Sequence, residues 1–190
     1  MDIVPRHRSA IDPGLVPAAL WTRAFLRRCA RTPASSDLAL ALRREDGTAS
    51  VFRTRLLAKG IDDEANYLHV ERTVKFLLWS RGASEILLCG EEAAALCGRL
   101  AADYAPGGNR AFDAAFLRKV FERPLRFQAV GSAELPTAAA AHLPLGRNLE
   151  GCRIGFDLGG SDRKCAALID GKVVFSEEVK WDPYFQSDPA

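Results

Sequence analysis

The chain has 190 residues, with 26 Lys+Arg against 24 Asp+Glu and a formal net charge of +2. With 48% apolar and 26% charged residues its composition is globular, which excludes disordered, collagen-like and coiled-coil classes. The near-neutral charge argues against a dedicated nucleic-acid binder, and no apolar run approaches the roughly 18 residues a membrane helix needs. A chain of this length makes one ordinary domain or two small ones.

Residues 1–36 read as a basic arm. Arg6, Arg8, Arg23, Arg27, Arg28 and Arg31 face only Asp2 and Asp12 there, and Leu20–Cys29 has the spacing of a short amphipathic basic helix. Such a helix suits a membrane or nucleic-acid contact, or more plainly a solvated docking role. No apolar h-region follows Met1, so secretion is not expected and a cytoplasmic location is. The five cysteines are odd in number and form no CxxC pair, which predicts reduced, buried thiols. His7, His69 and His142 are isolated, so no metal is assigned to any of these residues.

From Asp37 to Gly131 the periodicity predicts a compact α/β domain. Leu38–Arg43 and Ser50–Leu57 form a hairpin in which Asp46-Gly47 supplies the positive φ of a tight turn. Asp62, Asp63 and Glu64 start a helix that buries Tyr67, Val70, Val74, Leu77 and Leu78. Glu71 and Lys75 are spaced as an i,i+4 pair on its opposite side. A strand over Glu85–Cys89 is followed by a helix buried through Ala93, Leu96, Cys97, Leu100 and Tyr104 and stopped by Pro106-Gly107-Gly108. A further helix from about Phe112 to Glu122 buries Phe116, Leu117, Val120 and Phe121, and a strand follows over Leu125–Val130. The order ββαβααβ implies a mixed sheet. Arg110, Arg118, Arg123 and Arg126 present either a basic face to an acidic partner or simply a solvated surface.

Residues 132–150, with Pro136, the run Ala138–Ala141, Pro144 and Gly146, read as a linker. Beyond it, Cys152–Leu158, Gly159-Gly160, an apolar run to Ile169, Asp170-Gly171 and Lys172–Phe175 predict three strands joined by two glycine turns. Gly159 and Gly160 lack the Cβ atoms that would obstruct a sharp turn or a close ligand. N–H groups in such a turn cradle phosphate oxygens. Asp157, at the strand end, suits Mg²⁺, which takes a carboxylate together with water and phosphate. Ser161 adds a hydroxyl and Lys164 a positive charge. A plain β-meander with glycine turns is the alternative.

Ile154, Gly155, Asp157, Gly159, Gly160, Lys164, Ala167, Asp170 and Gly171 follow an order that resembles the first phosphate-binding motif of the actin/hexokinase-type ATPase superfamily. It is most similar to that of the ROK family of sugar kinases and repressors, over about 35 residues from Arg153. The resemblance implies that 151–190 opens a ribonuclease H-like ATPase domain. It implies ATP and Mg²⁺ as cofactors, with Asp157 beside the metal and nucleotide and with Gly159, Gly160 and Ser161 around the phosphates. A hexose is the implied substrate. Ser161 stands where the family has Thr, and Asp162 adds a negative charge beside the loop. The family's catalytic Asp, its Glu/His sugar motif with nearby zinc and its second Gly-rich loop lie further downstream than Ala190. The chain is therefore expected to be an N-terminal portion, inactive alone, of a sugar kinase or of a non-catalytic sugar-sensing or transcriptional regulator. The tail from Trp181 shows no capping character and reads as an interruption.

Overall fold

The computed structural model describes residues 3–139 and 149–185. It divides into two compact units, Met1–Ala141 and His142–Ala190. The centre of the expected linker, 140–148, lies outside the described residues, as do His142, Pro144 and Gly146 and the last five residues of the tail.

The first unit is mixed α/β. Its elements run α1 (Ala18–Arg31), β1 (Ser35–Arg43), β2 (Ala49–Leu57), α2 (Asp63–Arg81), β3 (Glu85–Cys89), α3 (Ala93–Asp103), α4 (Ala111–Phe121) and β4 (Arg126–Ala129). The sheet order is β2-β1-β3-β4. β1 pairs antiparallel with β2 and β3, and β3 pairs parallel with β4, so the sheet is mixed as its element order requires. The α3–α4 pair supplies the long crossover that a parallel strand pair needs.

Strand β1 is central, and its Leu-Ala alternation explains its burial. Leu38, Leu40 and Leu42 enter one core with Leu56, Ile86 and Leu88 from the neighbouring strands, while Ala39 and Ala41 point the other way. Helices contribute Phe25 and Cys29, then Val70, Val74 and Leu78, then Leu96 and Leu100, then Leu117 to the same cluster. Each such fully buried aliphatic or aromatic side chain contributes roughly 1.5–3 kcal/mol of transfer free energy. The segment expected to be a loose arm therefore carries a core helix: Phe25 and Cys29 are wholly buried, and the arginines occupy the outer side.

Polar groups fix how the helices meet the sheet. Asn66 donates to the carbonyl of Leu57 at 2.8 Å and accepts from its N–H at 2.9 Å, joining α2 to the end of β2. Asp62 caps α2 by accepting from Ala65 N–H at 3.1 Å and pairs with Arg28 of α1. His69 of α2 is buried against Phe25, with ring centres 4.7 Å apart, and its Nε2 lies 2.8 Å from Thr54 Oγ1. With no charge to compensate it there, burial pushes the imidazole down to about 4.

Three expectations are corrected. Glu71 and Lys75 do not pair with each other: Glu71 is buried and pairs with Arg110, and Lys75 lies 3.3 Å from Asp113. The packing of α4 onto α2 brings a closer partner to each charge than the exposed helix spacing does. Next, α4 buries Leu117, while Phe116 and Val120 are exposed together with Phe112, Phe76 and Trp79. Trp79 and Phe116 stack at 5.0 Å, and Trp79 donates to Asp113 at 2.7 Å. The helix carries apolar residues on two sides, and only one meets the core. Finally, in the β1–β2 connection only Gly47 has a positive φ, at 78°. Arg44 N–H donates to Thr48 and Gly47 N–H to Arg44, a longer loop in which Gly47 alone takes the left-handed position.

The second unit is an antiparallel sheet, β5 (Cys152–Leu158), β6 (Asp162–Ile169) and β7 (Lys172–Lys180), in the order β5-β6-β7. Asp170 and Gly171, with φ of 48° and 77°, make the tight two-residue β6–β7 turn that Asp-Gly predicts. Cross-strand register sorts the faces. Ile154, Ala167 and Phe175 lie in one row, and Phe156 with Cys165 and Glu177, and Leu158 with Arg163 and Val179, continue that mainly apolar face. Asp157, Lys164 and Glu178 lie in one row on the other face. Ile154, Phe156, Leu158 and Phe175 remain 51–72% exposed. Cys29 and Cys97 of the first unit are buried, but Cys152 is exposed and Cys89 and Cys165 are intermediate, against the expectation of five buried thiols.

Candidate functional site

The turn between β5 and β6 brings all five residues singled out in the sequence into one place. Asp157 lies one residue before the end of β5, Gly159, Gly160 and Ser161 form the turn, and Lys164 faces Asp157 across the ladder. Neither glycine has a positive φ. A Cβ on Gly159 would stand 3.0 Å from the carbonyl oxygen of Asp162, a tight contact with backbone, and one on Gly160 would stand 3.2 Å from the exposed Tyr184 ring, a side chain that can move.

Carbonyls of this turn are held from the far side of the sheet's last strand. Trp181 Nε1 donates to Gly159 O at 2.7 Å, and Trp181 N–H donates to Ser161 O at 3.1 Å. Pro183–Phe185 then forms a short 3-10 turn that sets Tyr184 beside Gly160. Trp181 and Tyr184 were missed in the sequence, where the segment shows no capping character and reads as an interruption. The signal that could have found them is a lone Trp right after an amphipathic strand, a side chain with a large apolar body and one donor that needs a fixed acceptor. With their carbonyls engaged this way, the N–H groups of Gly159, Gly160 and Ser161 donate to none of the described residues. Three adjacent donors in a constrained turn are the element of an anion cradle.

Charges around the turn are mixed. Lys164 Nζ lies 3.2 Å from Asp162 Oδ1 and 4.0 Å from Glu178 Oε1. These carboxylates, Asp162 foremost, with Asp157 further off, raise the lysine pKa. Lys164 thus offsets the negative charge that Asp162 places beside the loop, while Arg163 lies on the other face with Leu158 and Val179. Ser161 Oγ is 3.5 Å from Asp162 Oδ2, too long to hold the hydroxyl, which stays available. Asp157 is exposed and makes no ion pair among the described residues.

Nor, among the described residues, do three His, Cys, Asp or Glu side chains converge as a closed metal site would need. An ion held by Asp157 alone among protein ligands would keep several waters and share a nucleotide's phosphates, which fits Mg²⁺ and not zinc. The four arginines singled out in the first unit do not all remain free. Arg110 is spent on Glu71 and Arg123 on Glu45, leaving Arg118 and Arg126. No helix among the described residues is long and apolar enough to cross a membrane. In comparisons with known proteins, no family model matches the chain and no curated protein is significantly similar to it.

Proposed function

We propose that β5–β7 form the first phosphate-binding element of a ROK-like, ribonuclease H-like ATPase domain, and that the chain is the N-terminal portion of an ATP-dependent hexose kinase. The observation that carries the reading is the β5–β6 turn. It offers three N–H donors at Gly159–Ser161 and the Asp157 carboxylate at the adjoining strand end, none of them paired among the described residues, and a hydroxyl at Ser161. Phosphoryl transfer depends on positioning and charge, so a Mg²⁺ nucleotide held at its phosphates is the chemistry such a turn serves. Support also comes from the apolar face of Ile154, Phe156, Leu158 and Phe175, because a sheet with one apolar face normally packs against a further layer.

One phosphate loop does not make a kinase. A base for the sugar hydroxyl and further charge around the transferred phosphoryl group must come from other segments. The chain incubated with glucose and Mg-ATP is therefore expected to give no sugar phosphate, and measurable turnover would overturn this account. The Lys164–Asp162 pair favours a second reading, a ROK-like sugar-sensing or transcriptional regulator that does not transfer phosphate, since the lysine already neutralises a carboxylate of its own loop. Calorimetric titration of the complete protein with sugar and with Mg-ATP separates the two. A kinase binds both and turns over; a sensor binds sugar and leaves ATP intact.

A further inference from the structure

A hollow of the first unit lies between the end of α3, α4 and β4, with a volume of about 920 Å³. It exists because the two helices face each other there with alanines: Ala101 and Ala105 on one wall, Ala114 and Ala115 on the other. Tyr104, the buried residue of its lining, is tilted against the half-buried Phe127 at 5.2 Å, and the two rings form its floor. The size falls in the range of small-molecule sites, and away from the opening the side-chain hydrogen-bonding group among the lining residues is the buried Tyr104 hydroxyl, which has no partner among the described residues.

Charge is confined to the exposed residues at the opening. Arg118 and Lys119 lie there with no ion pair among the described residues, opposed by the single acid Glu122. The hollow thus combines an apolar interior with a net positive mouth. We infer that it binds a small amphiphile with an unbranched or flat apolar body and one anionic end, such as a medium-chain carboxylate. The body lies over Tyr104 and Phe127 and the carboxylate at Arg118 and Lys119. A strongly polar ligand would lose its hydrogen bonds to water and regain at most that of the Tyr104 hydroxyl inside. A cationic amphiphile would meet the wrong sign at the opening.

The test is titration of the whole chain with decanoate and with decanol, followed by backbone amide shifts. Decanoate is expected to move the amides of Ala101–Ala105 and Ala114–Lys119. Reversal of both cations (R118E with K119E) should weaken decanoate about tenfold and leave decanol unchanged. Ala115→Trp, at an exposed position of α4, should weaken binding of both by placing an indole in the hollow. Ala101→Glu, on the α3 wall, should do so by placing a carboxylate in it. The inference is overturned if decanoate moves the exposed Phe112–Phe116 surface or the β5–β7 face and not the hollow. It is equally overturned if A115W and A101E bind as the parent does. A concentration-dependent dimer that decanoate leaves intact and A115W disrupts would show a contact between copies of the chain, and would also overturn it.

Discussion

His69 makes the acid stability of the first unit a quantitative prediction. The ring is buried among Phe25, Trp21 and Thr54, and burial holds it near 4, against about 6.5 in the unfolded chain. Between those values the unfolded state binds a proton that the folded state refuses. Stability from this group is therefore complete above about pH 6.5, falls as the pH drops, and levels off below about pH 4. Integrated from about pH 7.5 to about pH 4.5, the linkage removes roughly 2.5 kcal/mol, a large part of the stability of a domain this size. Asp62, held low mainly by its hydrogen bond from Arg28, acts in the same direction in a lower window and is common to parent and variant. All helices of eight or more residues among the described residues belong to the first unit, so urea unfolding followed by far-ultraviolet circular dichroism reports on it. His69→Gln keeps a partner for Thr54 and does not titrate. It is expected to be less stable at neutral pH yet to lose about 2.5 kcal/mol less than the parent on acidification. Equal losses in the two proteins would refute the assignment.

Two further outcomes follow from the buried charges and thiols. Arg110→Met leaves the Glu71 carboxylate buried without its partner and is expected to destabilise the first unit by about 3 kcal/mol, most of which a second change, Glu71→Met, restores; urea unfolding checks both. With a thiol reagent, Cys152 is expected to react first in the native chain. Cys29 and Cys97, whose pKa values burial raises (that of Cys97 to about 11), should react only on unfolding, as peptide mapping of the labelled sites would show.

Much of this fold was legible where local and tertiary signals agree. Strand β3 has the bounds its apolar run predicts, and α2 starts at its acidic cluster because Asp62 caps it. The Asp170-Gly171 turn has the two positive φ values that this pair favours. Failures occur where partners come from far along the chain. Glu71 and Lys75 satisfy a helix rule, but α4 arrives with Arg110 and Asp113 some 38–39 residues later, and no spacing rule reports that. Phe116 and Val120 look like core from hydrophobicity alone, whereas the core has room for only one side of α4. At the candidate site the glycines, Asp157 and Ser161 are visible because the chemistry sits within a few residues. Trp181 was not, because its acceptor Gly159 lies 22 residues away.

The central claim, that the β5–β6 turn takes the phosphates of a Mg²⁺ nucleotide, is tested most directly by amide shifts of the chain titrated with ATP in the presence and absence of Mg²⁺. The account predicts millimolar binding centred on the N–H groups of Gly159, Gly160 and Ser161. It predicts an added effect of Mg²⁺ that Asp157→Asn removes, and stronger binding when Asp162→Asn frees Lys164. If those three amides do not move with Mg-ATP, while the parent sheet keeps its β5–β6 register, the turn is a structural connection and the kinase reading is wrong.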